Sequence, residues 1–269
     1  FILAALEGNL YNKSLDLPFI FDLKPHVRYL IVLPLLIVAD SFIDPLVSFV
    51  LQSIRNSGIL GRDDKTRYVI AVEKLTQRKD SILADIIILI ISALVILSFL
   101  SNLEKLDVGS QLTNWIVVHS TTGAHLSYAG WWFLCVSSLL LQIVLYRWLW
   151  RFYLWCEFLF RISRIELNLQ PTHPDLAGGL GLLNNGENAF VLIYFSMGSL
   201  LSVRLADELL FNDMTLVQAT HVGIYFIIVS VILMTIPMFF FSWQLGKTRV
   251  LGRVTYGGLG YRLSSAFNK

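Results

Sequence analysis

The chain has 269 residues, of which 55% are hydrophobic and only 15% charged, with mean hydropathy +0.65 and net charge +2. Soluble domains carry about a quarter charged residues, so this composition excludes an ordinary water-soluble globule. The small net charge gives no ground for a nucleic-acid partner.

Long apolar runs and 13% aromatic residues predict an all-α polytopic membrane protein, a single integral domain over 1–269, with membrane lipids as partners. The chain opens on an apolar stub, 1–6, expected to be the tail of a first span. The first full span is expected at about 28–52 and the second at 82–100. The third begins near Gly130, runs past Trp150 towards 165, and must project beyond the bilayer. The fourth is expected at 188–206 and the fifth at 219–243. Between the first two, 55–80 contains Tyr68, Val69, Val72 and Leu75 at helical spacing, with Asp63 and Asp64 ahead of them. This predicts an amphipathic helix. The 101–129 stretch has little periodicity, and a short interfacial helix is expected around Trp115, Ile116, Val117 and Val118.

Basic residues alternate between connections. Those at 55–80, after the third span, and in the tail are rich in Lys and Arg. The 101–129 connection carries only Lys105, and 207–218 carries none. The positive-inside rule therefore predicts that 55–80, 151–187 and both termini are cytoplasmic. Cys135 and Cys156 are 21 positions apart in one helix, about 30 Å at helical rise, and are expected to be unpaired.

Charges inside the spans are the most informative residues, because an isolated charge in hydrocarbon costs at least about 2.5–3.5 kcal/mol. Asp40 and Asp44 are i,i+4 in the first full span, Asp85 lies one turn into the second, and Arg147 and Arg151 are i,i+4 in the third. An Asp/Arg cluster joining three helices is expected. It is either an ion or proton path, with Asp40 deepest, or an ion-paired lock. Pro34 and Pro45 bracket Asp40 and can free backbone carbonyls nearby.

A second candidate is PTHPDLAGGLG, 171–181. It reads as a rigid cytoplasmic turn with Asp175 as a cap and Gly178, Gly179 and Gly181 allowing close backbone approach. His173 and Asp175 also suit a metal or a proton relay. A third is the aromatic and basic run containing Trp148, Trp150 and Trp155. It reads as an inner-interface anchor or a lipid-headgroup site. Arg204, Asp207 and Glu208 are expected to form a local ion-paired cap. No cofactor or metal set is expected, and no nucleophile triad, P-loop or HExxH occurs.

The segment from Trp148 through Arg161, Ile162, Ser163 and Arg164 into PTHPDLAGGLGLL resembles a family of uncharacterised bacterial multi-pass membrane proteins. His26–Leu30 leading into Leu33–Leu36, and Ala129–Trp132, are similar to it as well. The resemblance implies a bacterial inner membrane and no particular activity. The leading functional expectation is a channel or transporter for an ion or small solute, as a homo-oligomer. The alternatives are a non-transporting scaffold or lipid-binding subunit, and an intramembrane enzyme using His173 and Asp175.

Overall fold

The computed structural model describes residues 1–12, 15, 17–61, 64–101, 115–120, 123–211 and 213–267. The fold is all-α, with five helices among the described residues long and apolar enough to cross a membrane. In chain order the elements are α1 (Ile2–Leu6), α2 (Leu23–Asn56), α3 (Lys65–Lys79), α4 (Ile82–Ser101) and a strand pair, β1 (Val117–Ser120) and β2 (Gly123–Leu126). They continue as α5 (Tyr128–Ile162), α6 (Leu180–Phe211, interrupted at Ala189 and Phe190), α7 (Leu216–Phe239) and α8 (Ser242–Phe267). Arg62, Asp63, Lys105 and Lys269 lie outside the described residues.

The chain forms two compact units. The first comprises 1–38, 81–150 and 192–226. Its core joins Ala4 of α1 with Phe19, Trp115, Ala129 and Phe133. Trp115 meets Phe19 and Phe133 edge-on, at ring separations of 4.8 and 5.3 Å, and its indole N–H donates to Asp22 at 2.9 Å. Buried Trp wants such a partner for its one donor. The start of α5 is capped twice. Ser127 Oγ accepts from the Gly130 amide at 2.8 Å, and the Glu7 carboxylate accepts from the Tyr128 and Ala129 amides. An anion at a helix N-terminus satisfies orphan donors and complements the dipole.

The expected helix around Trp115 is absent. Val117–Ser120 instead pairs antiparallel with Gly123–Leu126, with Val117 opposite Leu126. Two adjacent β-branched valines favour an extended backbone. Trp115 is a buried anchor ahead of the strand rather than an interfacial residue.

The second unit comprises 39–80, 151–191 and 227–269. Tyr68 of α3 donates to the Leu51 carbonyl of α2 at 2.6 Å. Burial pushes its phenol up to about 12, with Arg55 pulling the other way. Asp64 accepts no capping amide bond and pairs with Arg67 at 3.5 Å. The stretch leading into α3 and the one leaving α5 meet as a single antiparallel bridge, Leu60 with Leu167.

The tail beyond the last span forms α8, a helix of 26 residues that glycines at 246, 252, 257 and 258 argue against. Tertiary contacts hold it. Gln244 Nε2 donates to the Ser163 and Ile165 carbonyls, both at 2.7 Å. A Cβ at Gly252 would stand 2.5 Å from Pro171 Cβ, so only glycine allows that approach.

Candidate functional site

Within the second unit, α2 presents Asp40 and Asp44 one turn apart, α5 brings Arg151, and α3 ends on Lys79. Arg151 Nη1 contacts Asp40 Oδ1 directly and lies 3.9 Å from Asp44 Oδ1. Lys79 Nζ lies 2.6 Å from the other oxygen of Asp44. The result is a chain of alternating sign: Asp40, Arg151, Asp44, Lys79. Arg151 is only 12% exposed, whereas Asp40 and Asp44 are 57% and 45% exposed. A cavity of about 200 Å³ opens on Asp44, Lys79, Asp80 and Arg151, with Leu154 and Trp155 on its apolar wall. The polar chain is thus open on one side. Six residues beyond Arg151 along α5, Glu157 receives Arg78 of α3 at 2.5 Å and Arg161 at 2.6 Å.

In the first unit, Arg147 Nε lies 3.9 Å from Asp85 Oδ1, with the two side chains 47% and 52% exposed. That is ion-pair range without a hydrogen bond. Arg151 is three residues from Trp148 and four from Trp155, on the stripe that also buries Phe158, Leu159 and Ile162. Arg147 precedes Arg151 by one turn on the same helix face, so their different exposure reflects position along α5 and not the face they occupy.

The same stripe corrects the interface reading of the tryptophans. Trp148 is buried, and its indole N–H donates to the Leu36 carbonyl at 3.1 Å. Trp155 is buried too, stacked on Phe158 and packed so closely on Gly186 that a Cβ there would overlap its ring. Neither offers a surface to a lipid headgroup. Trp150 is half-buried. Asp207 also departs from expectation. Its partner is Lys24, at 2.8 Å, rather than Arg204.

The 171–181 turn is built around Asp175. Its carboxylate accepts from the amides of Ala177, Gly179 and Gly181 at 2.8–3.0 Å and contacts His173 Nδ1 at 2.7 Å. Burial pushes this carboxyl up. The amides of Gly181, Gly179 and Ala177, together with His173, outweigh it and hold the group down at about 2. Gly178 and Gly179 have φ of +68° and +102°, and a Cβ at Gly181 would sit 2.9 Å from Asp175 Cβ. The glycines let three amides converge on one carboxylate. This is a folded turn, with its acid committed to backbone.

Sequence reasoning missed Lys79 and Arg78, which read as loop charges until α3 is packed. It also took Arg28 only as the outer end of a span. Arg28 begins a π-helical segment, Arg28–Val32, and donates to Ser138 Oγ at 2.9 Å in a second one, Trp132–Ser138. Its guanidinium lies 4.2 Å from the Phe133 ring centroid. Pro34 lacks the amide that would bond Leu30 and precedes no further disruption, so the π turn sits just before it. The only sequence signal was the Ser137–Ser138 pair in an apolar run. Among the described residues no group of three His, Cys, Asp or Glu is placed to hold a metal, and both cysteines are free.

This is a multi-pass membrane protein by the length and apolarity of its helices. No protein-family model, curated protein or solved structure matches the chain.

Proposed function

We propose that the protein is a channel or transporter for an ion or small solute in a bacterial inner membrane. The observation that carries this reading is the half-exposure of Asp40 and Asp44, the second of them lining a cavity, inside a helix apolar enough to span. Carboxylates facing hydrocarbon are unfavourable, so such a face calls for water or a second copy of the chain. Both fit a homo-oligomer with a hydrated route past Asp40. The loop charges support an orientation with 55–80, 151–187 and the C-terminus in the cytoplasm. The resemblance around 171–181 supports the bacterial assignment.

A second reading, a scaffold or lipid-binding subunit, is favoured by one fact: each charge of the network has a partner of opposite sign. The enzyme reading is weaker, because Asp175 is held by three amides. The discriminating experiment is ion flux across liposomes containing the purified protein, with Asp40→Asn as the control. Flux that falls in the variant supports transport. Flux no greater than in protein-free liposomes for every small ion tried favours the scaffold.

A further inference from the structure

Two spans, α5 and α7, end in the second unit, at Ile162 and Phe239. The segments that follow them, 163–168 and 240–248, enclose a cavity of about 560 Å³ whose lining includes Arg164, Glu166, Asn168, Trp243, Gln244 and Lys247. Its wall is fixed by the two hydrogen bonds from Gln244 to the Ser163 and Ile165 carbonyls. Arg164 lies over Phe160 at 4.9 Å and Lys247 over Trp243 at 5.6 Å. Among the described residues neither cation has a carboxylate within ion-pair distance, and Glu166 is the one acid lining the cavity. Phe160 and Phe240 stack edge to face at 5.3 Å. Trp243 and Phe239 are 74% and 67% exposed beside them.

We propose that Arg164 and Lys247 bind the phosphate group of an anionic phospholipid in this cavity. A guanidinium offers a fork that matches two phosphate oxygens, and an ammonium adds a point charge. Contacts with aromatic faces hold both cations only weakly when exposed, so they are available to an anion. The cavity follows directly on two span ends, where headgroups lie, and the exposed Trp and Phe suit the start of the acyl chains. Arg249 and Arg253, on the next turns of α8, line a second groove against Pro171 and Thr172 and keep the surroundings positive. The site owes nothing to whether a solute crosses the membrane, so its test is separate from the flux measurement.

The test uses the purified full chain in detergent, with phosphatidylglycerol, phosphatidylcholine of the same acyl chains, or inorganic phosphate. Retained lipid is read by native mass spectrometry and the thermal midpoint is followed in parallel. Wild type should retain phosphatidylglycerol over phosphatidylcholine by roughly tenfold or more, as two charges at a headgroup allow. Arg164→Gln/Lys247→Gln should abolish that preference. Lys65→Gln/Arg67→Gln, the same loss of charge on α3, should keep it. Equal retention of the two lipids by wild type overturns the proposal without any variant, as does a preference that survives the double change. A midpoint raised by inorganic phosphate, without lipid preference, overturns the lipid as the source of the phosphate.

Discussion

Asp175 and the Asp40/Asp44 pair are carboxylates in the same unit held in opposite ways. Asp175 is fixed by backbone amides, which cannot leave without unfolding the turn. Asp40 and Asp44 are held by Arg151 and Lys79, long side chains that can swing away. A carboxylate bound to backbone is an architectural element. One bound to side chains, and half open, can exchange its partner for a proton or an ion. The difference separates a fixed turn from an exchangeable ion pair more clearly than charge content does.

The largest expected effect is at the turn. Asp175→Ala removes every acceptor for three converging amides, and each charge-assisted hydrogen bond contributes about 1.5–3 kcal/mol. Unfolding in detergent should show a loss of at least about 3 kcal/mol, and no second substitution should restore it. The same carboxylate has its folded value held at about 2, below its ordinary 3.8. Its stabilisation is therefore full above the ordinary value and is lost as pH falls towards 2. The unfolding midpoint of wild type should drop across that window, and Asp175→Asn should flatten the drop.

Arg151→Met comes next. It strands Asp40 and weakens the hold on Asp44, but both keep access to one open side. The cost should fall somewhat below the about 3–5 kcal/mol of a fully buried pair. Here a second change should help: Arg151→Met/Asp40→Leu should recover more than half of the loss. A double variant no better than the single one would show that Arg151 acts through packing alone. Smallest is Arg147→Gln. A 3.9 Å contact between half-exposed groups should contribute about 0.6 kcal/mol, the usual scale for polar contacts between spans. A cost equal to that of Arg151→Met would erase the distinction drawn from the different exposure of the two arginines.

The five spans were legible because about 20 apolar residues in a row admit few other structures. The charges Asp40, Asp44, Asp85, Arg147 and Arg151 stood out because each interrupts such a run. What the sequence left open was tertiary. Lys79 and Arg78 look like ordinary loop cations until α3 packs on α2 and α5. Trp148 and Trp155 sit among arginines, as interface anchors do, yet the stripe from Trp148 through Arg151, Trp155, Phe158 and Ile162 was readable as a buried face. Helix α8 was hidden by its glycines, whose helical cost is offset by docking on Pro171 and by Gln244. The Trp115 segment carried no period long enough to separate strand from helix.

The proposed transport requires hydration of the Asp40–Arg151–Asp44–Lys79 chain. It is tested most directly by replacing Asp44 with Cys in a background where Cys135 and Cys156 are Ser, and measuring its reaction with a membrane-impermeant, water-soluble thiol reagent in sealed vesicles of known orientation. Labelling at position 44 is expected from one side of the membrane, and it should slow in Arg151→Met, which removes a cation that favours the thiolate. Absence of labelling from both sides, while a Cys placed at exposed Arg67 reacts, would contradict it and leave a dry lock between helices.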